Sequence, residues 1–104
     1  MMNLLKKLFG SKPKVNFATL KKEGAIILDV RSKNEYAAGH IKGSVNISVD
    51  QLNKNLSQLK DKNKPIITCC ASGMRSASAK NILQANGYTA VYNGGSWSRL
   101  QENL

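Results

Sequence analysis

Two adjacent thiols, Cys69 and Cys70, stand where an apolar run gives way to Ala71-Ser72-Gly73-Met74-Arg75-Ser76. Residues 66–69, Ile-Ile-Thr-Cys, read as a strand, and the residues from Ser76 onward read as a helix. A strand feeding a tight loop feeding a helix aims backbone N–H groups and the positive end of a helix dipole at one point. The side chain at that point is a thiol. Such a field favours thiolate over thiol and holds an anion on or beside the sulfur. Gly73 lets the backbone curl closely, and Arg75 adds a fixed positive charge with a planar donor fork. Cys70 is therefore the expected nucleophile. Ala71, Ser72, Gly73, Met74, Arg75 and Ser76 are the expected anion cradle, with Met74 as an apolar lip. The competing reading of Cys70 is a buried structural cysteine.

The elements that must position this loop follow from the spacing of apolar residues. Residues 15–17 are a candidate edge strand, and residues 18–23 a short helix closed by Gly24. Residues 25–30, Ala-Ile-Ile-Leu-Asp-Val, form an almost unbroken apolar run, the pattern of a strand buried on both faces of a parallel sheet. Asp29 inside that run requires a partner, because an unpaired buried carboxylate is costly. Its place at the carboxyl end of the strand is where open α/β sheets put their sites. Ser32 and Glu35 have capping-box spacing for a helix through Tyr36.

Residues 45–47 suggest a brief strand. Asp50 is placed to cap a helix through Leu52, Leu56 and Leu59. The helix after the cysteine loop ends near Asn86, with Gly87 as its cap. A short strand passes through Val91, Gly94-Gly95 forms a close-approach loop, and Ser96 caps a last helix. Strands alternating with helices predict a parallel sheet with helices on both faces.

Composition narrows the chemistry. The 104 residues suggest one domain. Neighbouring cysteines make no disulfide framework and give no zinc-ligand spacing, and His40 is the only imidazole, so neither metal nor cofactor is expected. Their usage fits a reducing, cytoplasmic setting. Sixteen Lys and Arg against six Asp and Glu give a formal charge of +10, which draws in small anions. The lysines are scattered and the aromatics form no stacking series, so no nucleic-acid partner is expected. Residues 1–14 read as a basic, mobile leader, with a weak membrane-surface anchor as the alternative: Leu4, Leu5, Leu8 and Phe9 fit one face of a short helix before Gly10, Ser11 and Pro13 break it. The apolar run is too short for a signal peptide, and no membrane span is expected.

Several stretches together resemble the single-domain rhodaneses. They are Asp29-Val30-Arg31, Glu35-Tyr36, residues 39–47, Cys70-Ala71-Ser72-Gly73-Met74-Arg75-Ser76, Gly94-Gly95 and Trp97. The likeness runs from about Phe17 to Leu100, making residues 15–104 the expected domain. It implies a five-stranded parallel sheet flanked by helices on both faces. It also implies sulfurtransferase activity, with Cys70 carrying sulfur from thiosulfate or a persulfide donor to a thiol or protein acceptor. The six-residue loop from Cys70 to Arg75 has the sulfurtransferase length. Two positions depart from the family's pattern. Ser48 stands where proline is common, and Trp97 lies nearer the glycine pair than usual, which bears on the wall of the site near Ser96 and Arg99.

Two other readings are weighed beside this one. A non-catalytic persulfide carrier would use the same cysteine. Counted from Cys69, the loop instead has the spacing of the cell-cycle phosphatases that share this fold. The glycine position, the inward-facing place of Cys69 on its strand and the lack of an evident acid loop favour Cys70. Asp29, Arg31 and Glu35 form a charged set that either supports the loop or closes the fold as an ion-pair network. His40, in a glycine-rich turn, reads as a hydrogen-bonded structural residue.

Overall fold

A computed structural model describes residues 15–104. The leader expected over residues 1–14 lies outside them. In chain order the elements are α1 (Phe17–Lys22), β1 (Ile26–Asp29), α2 (Lys33–Ala38), β2 (Val45–Asn46), 3-10 turns at Val49–Lys54 and Leu56–Gln58, β3 (Ile66–Cys70), α3 (Met74–Ala85), β4 (Val91–Ser96) and α4 (Trp97–Glu102). The strands form one parallel sheet in the order β2-β1-β3-β4.

The sheet therefore has four strands among the described residues, not five. The expected edge strand at residues 15–17 is replaced by a helix start. Asn16 Oδ1 accepts the Thr19 N–H at 3.0 Å, which makes Asn16 an N-cap and draws Phe17 into α1. Phe17 and Leu20 then pack on the sheet as helix residues.

The two central strands divide the core because side chains alternate along a strand. One face carries Leu28, Val30, Ile66 and Cys70, covered by Leu52, Leu59, Ala79, Leu83 and Tyr88. The other carries Ile27, Ile67 and Cys69, covered by Ile41, Leu100, Phe17, Leu20 and Trp97. The adjacent cysteines thus project to opposite sides of the sheet. β3 extends one residue beyond its expected end, to Cys70, and all five of its residues are buried.

Three further boundaries differ from expectation. The helix expected after Asp50 is two 3-10 turns that start after Ser48. Asn55 leaves the helical region at φ −123° and donates its side-chain amide to the Gln51 carbonyl, a local bond that competes with a continuous helix. Helix α3 starts at Met74, so Met74, Arg75 and Ser76 belong to its first turn. Gly94-Gly95 lies inside β4, where a register irregularity between Thr68 and Cys70 absorbs the close approach.

Candidate active site

The loop Ala71-Ser72-Gly73 joins the end of β3 to the start of α3, and it closes over the Cys70 sulfur. Cys70 is fully buried, and its Sγ accepts the Gly73 N–H at 2.9 Å and the Ser76 N–H at 3.4 Å. Two of the expected cradle amides reach the sulfur. Ala71 and Ser72 are exposed at the rim, and Met74 stands out in solvent with 79% of its surface exposed. Gly73 caps α3 at φ +102°, a conformation that a side chain would strain. That turn aims the Gly73 N–H back at the preceding thiol.

A polar chain fixes the floor of the loop. Ser76 is fully buried and donates its hydroxyl to Asn93 Oδ1 at 2.6 Å. With that proton committed, Thr68 Oγ1 is the donor in its 2.7 Å bond to Ser76 Oγ. Asn93 Oδ1 also accepts the Gly95 N–H at 2.9 Å. The chain ties β3, α3 and β4 together directly beneath the cradle. Thr68 and Asn93 were not expected as site residues. The visible signals were a hydroxyl inside an apolar strand and an amide just before a glycine pair.

The acidic and basic set separates into two pairs with different tasks. Asp29 and Arg31 are buried and joined through Arg31 Nε and Nη2, the shortest contact being 2.7 Å. Arg31 also donates to the Gly39 carbonyl at 2.7 Å and stacks over Trp97 at 4.6 Å. This pair closes the fold behind the site. Glu35 instead receives both prongs of Arg75, at 2.7 and 2.9 Å, and so holds the first turn of α3.

Glu35 also completes the expected capping box, accepting the Ser32 N–H at 3.1 Å. The Arg75 guanidinium, then the Ser32 N–H, hold its carboxyl well below the usual range, at about 2. His40 stacks on Tyr36 with ring centroids 3.7 Å apart and donates Nδ1–H to the Tyr36 carbonyl at 2.7 Å, a structural role.

Cys69 is opposite in kind to Cys70. Burial, and then the nearby Asp29 carboxylate, push its thiol up to about 12, so it remains protonated on the far face of the sheet. The arrangement can stabilise a negative sulfur at Cys70 through two N–H donors, and it gives Cys69 none.

Comparison with known proteins agrees with this geometry. Residues 14–102 match the rhodanese-like domain family. The chain is 38% identical over 69 residues to an uncharacterized protein, YqhL, of Bacillus subtilis, covering 66% of this chain and 54% of that protein. The chain thus spans about half the length of that relative. It is 35% identical over 81 residues to the thiosulfate sulfurtransferase GlpE of Pseudomonas fluorescens, covering 77% of this chain and 72% of that one. Among solved structures, a rhodanese with anions from E. coli superposes with a TM-score of 0.68 at 32% identity, over 72% of this chain and 89% of that one. With the family match spanning residues 14–102, and a buried cysteine that accepts two backbone N–H groups at the end of a parallel strand, this chain belongs to the rhodanese-like domain family.

Proposed function

We propose that the protein is a sulfurtransferase in which Cys70 accepts a sulfane sulfur from thiosulfate or a persulfide and passes it to a thiol acceptor. The observation that carries this reading is the pair of N–H donors, from Gly73 and Ser76, on the Cys70 sulfur. The Cys70 thiolate attacks the outer sulfur of thiosulfate. A new S–S bond forms, the old one breaks, and sulfite leaves with the electron pair. The persulfide so formed is anionic, and amide hydrogens fixed by the polar chain beneath the loop stabilise it without reorganising. An acceptor thiolate then takes the outer sulfur and restores the Cys70 thiolate.

Because Cys70 is enclosed, the loop must part for the donor to enter, and Ala71 and Ser72, its two residues before Gly73, are exposed rather than packed into the core. Arg75 braces the cradle through Glu35. The formal charge of +10 draws anionic donors inward, so the rate falls as salt rises. The phosphatase reading would require Cys69, whose sulfur lies on the other face of the sheet from the loop. No described helix is long and apolar enough to cross a membrane.

Intact-mass measurement after mixing with thiosulfate tests the reading. One added sulfur is expected on the wild-type protein and none on Cys70→Ser, with turnover when a small thiol is supplied. A sulfur that persists on Cys70→Ser would overturn it. A stable persulfide with no turnover on small thiols would make the protein a carrier.

A further inference from the structure

Ser96 stands opposite Cys70 in the register of β3 and β4, and Ser72 belongs to the cradle loop itself. An open cleft of about 440 Å³ lies beside the loop, lined by Ser72, Ser96, Ser98, Arg99 and Glu102. That volume falls within the roughly 300–1,000 Å³ of sites that hold organic ligands, and a compact inorganic anion would fill little of it. All five lining side chains are polar: three hydroxyls, one guanidinium and one carboxylate.

Arg99 and Glu102 are three residues apart on α4, close enough for opposite charges to meet across one helical turn. They do not. The two ion pairs among the described residues are Arg31–Asp29 and Arg75–Glu35. Both Arg99 and Glu102 are exposed, and both charges face the cleft uncommitted. A purely anionic ligand would meet repulsion from Glu102. A ligand carrying one carboxylate and one ammonium group finds a partner for each.

We propose that this cleft is the acceptor subsite and that it selects a zwitterionic low-molecular-weight thiol, a proposal that rests on the sulfurtransferase reading above. Arg99 pairs with the carboxylate of the acceptor and Glu102 with its ammonium group, while the serine hydroxyls bond the remaining polar groups. The tail so held points the acceptor sulfur at the loop. The acceptor thiol gives its proton, through water, to the outer sulfur of the anionic Cys70 persulfide, and its thiolate attacks that sulfur. A bond forms between the acceptor sulfur and the transferred sulfur. The bond to Cys70 Sγ breaks, and its electron pair stays on Sγ, where the Gly73 and Ser76 N–H groups receive it. The product leaves as the acceptor persulfide with the outer proton. Arg99 and Glu102 set specificity and take no part in bond making.

The test measures kcat/KM for cysteine, 3-mercaptopropionate, cysteamine and 2-mercaptoethanol with thiosulfate saturating, in the wild type, Arg99→Gln and Glu102→Gln. Arg99→Gln is expected to cut the preference for cysteine and mercaptopropionate over 2-mercaptoethanol about fivefold, the scale of one exposed ion pair. Glu102→Gln is expected to cut the preference for cysteine and cysteamine similarly and to improve mercaptopropionate. Equal effects on all four thiols would overturn the proposal. So would slower persulfide formation from thiosulfate in Arg99→Gln, which would make the cleft a donor site. A wild-type protein that takes sulfur from neither thiosulfate nor a small-molecule persulfide would instead remove the sulfurtransferase reading, and the subsite with it.

Discussion

Arg75 and Glu35, 40 residues apart in the chain, meet as a two-pronged ion pair with Nη1 2.7 Å from Oε1 and Nη2 2.9 Å from Oε2. The pair fastens the first turn of α3, which carries the Ser76 N–H, to the N-terminal turn of α2. The arginine fork is thereby engaged with the protein, and on the proposed function its task is to position the donors on the sulfur. Arg75→Lys keeps the charge and loses the fork. Misplaced cradle donors should lower kcat for sulfur transfer about tenfold to hundredfold, with a smaller change in KM for thiosulfate. A rise in KM alone would show that Arg75 binds the donor directly.

The same pair predicts a pH dependence. Glu35 titrates at about 2 in the folded protein against an ordinary 4.5, so the unfolded chain takes up the proton first as pH falls. The contribution of the pair is complete above the ordinary value and is lost as pH falls through about 2. The difference in urea midpoint between wild type and Glu35→Gln should therefore be constant near neutrality and shrink on acidification. A difference that survives undiminished in strong acid would remove the ion pair as its source.

The two thiols should react through different openings of the protein. Cys70 is reached when its loop parts, whereas Cys69 is reached only when the sheet opens, because it is buried among Ile27, Ile67 and Leu100. Iodoacetamide should label Cys70 at a rate nearly independent of low urea, and Cys69 at a rate that follows global unfolding. Equal labelling of both in the native protein would contradict this. Because Cys69 titrates at about 12 when folded and ordinarily at 9, the unfolded state loses its proton first, and stability should fall as pH rises above about 9.

Gly94 is held against backbone that cannot retreat. A Cβ there would lie 2.7 Å from the Thr68 carbonyl oxygen, 2.8 Å from Ile67 Cγ2 and 2.9 Å from Leu100 Cδ2. Gly94→Ala should cost about 1–3 kcal/mol of stability by overpacking, measured by urea unfolding. A neutral substitution would mean that β4 lies farther from β3.

The buried Asp29–Arg31 pair should be intolerant of losing one partner. Asp29→Asn leaves Arg31, 4% exposed, without its counter-charge. About 3–5 kcal/mol of destabilisation is expected, the usual cost of orphaning a buried charge. A loss confined to activity, with the unfolding midpoint unchanged, would assign Asp29 to the site rather than to the fold.

Local chemistry made parts of this protein readable from its residues. The unbroken apolar runs around Ile27 and Ile67 predicted central parallel strands, because only strands covered on both faces bury every side chain. Ser32 with Glu35, and Ser96 before the last helix, announced their caps, since those bonds close within three residues. The contacts of the Gly73 and Ser76 N–H groups with the Cys70 sulfur follow from a strand–glycine–helix spacing, which is itself a local geometry. Errors arose where local signals were balanced. Val15-Asn16-Phe17 suits an edge strand, yet a single Asn16 cap bond turned it into a helix start and reduced the expected sheet by one strand. Three leucines suggested one helix, and Asn55 divided it.

What the sequence determined by itself is most of the elements, the tight turn between Cys70 and the helix after it, and the excess of positive charge, because each depends on residues close together in the chain. What only the tertiary structure decided is partnership across distance. Glu35 belongs to Arg75, 40 residues away, and Asn93 anchors Ser76, 17 residues away. No local pattern encodes these pairings, since they arise only when strands and helices from separate stretches are packed into register. The physical reason is that a charge or hydroxyl chooses its partner by where burial leaves it, and burial belongs to the whole fold.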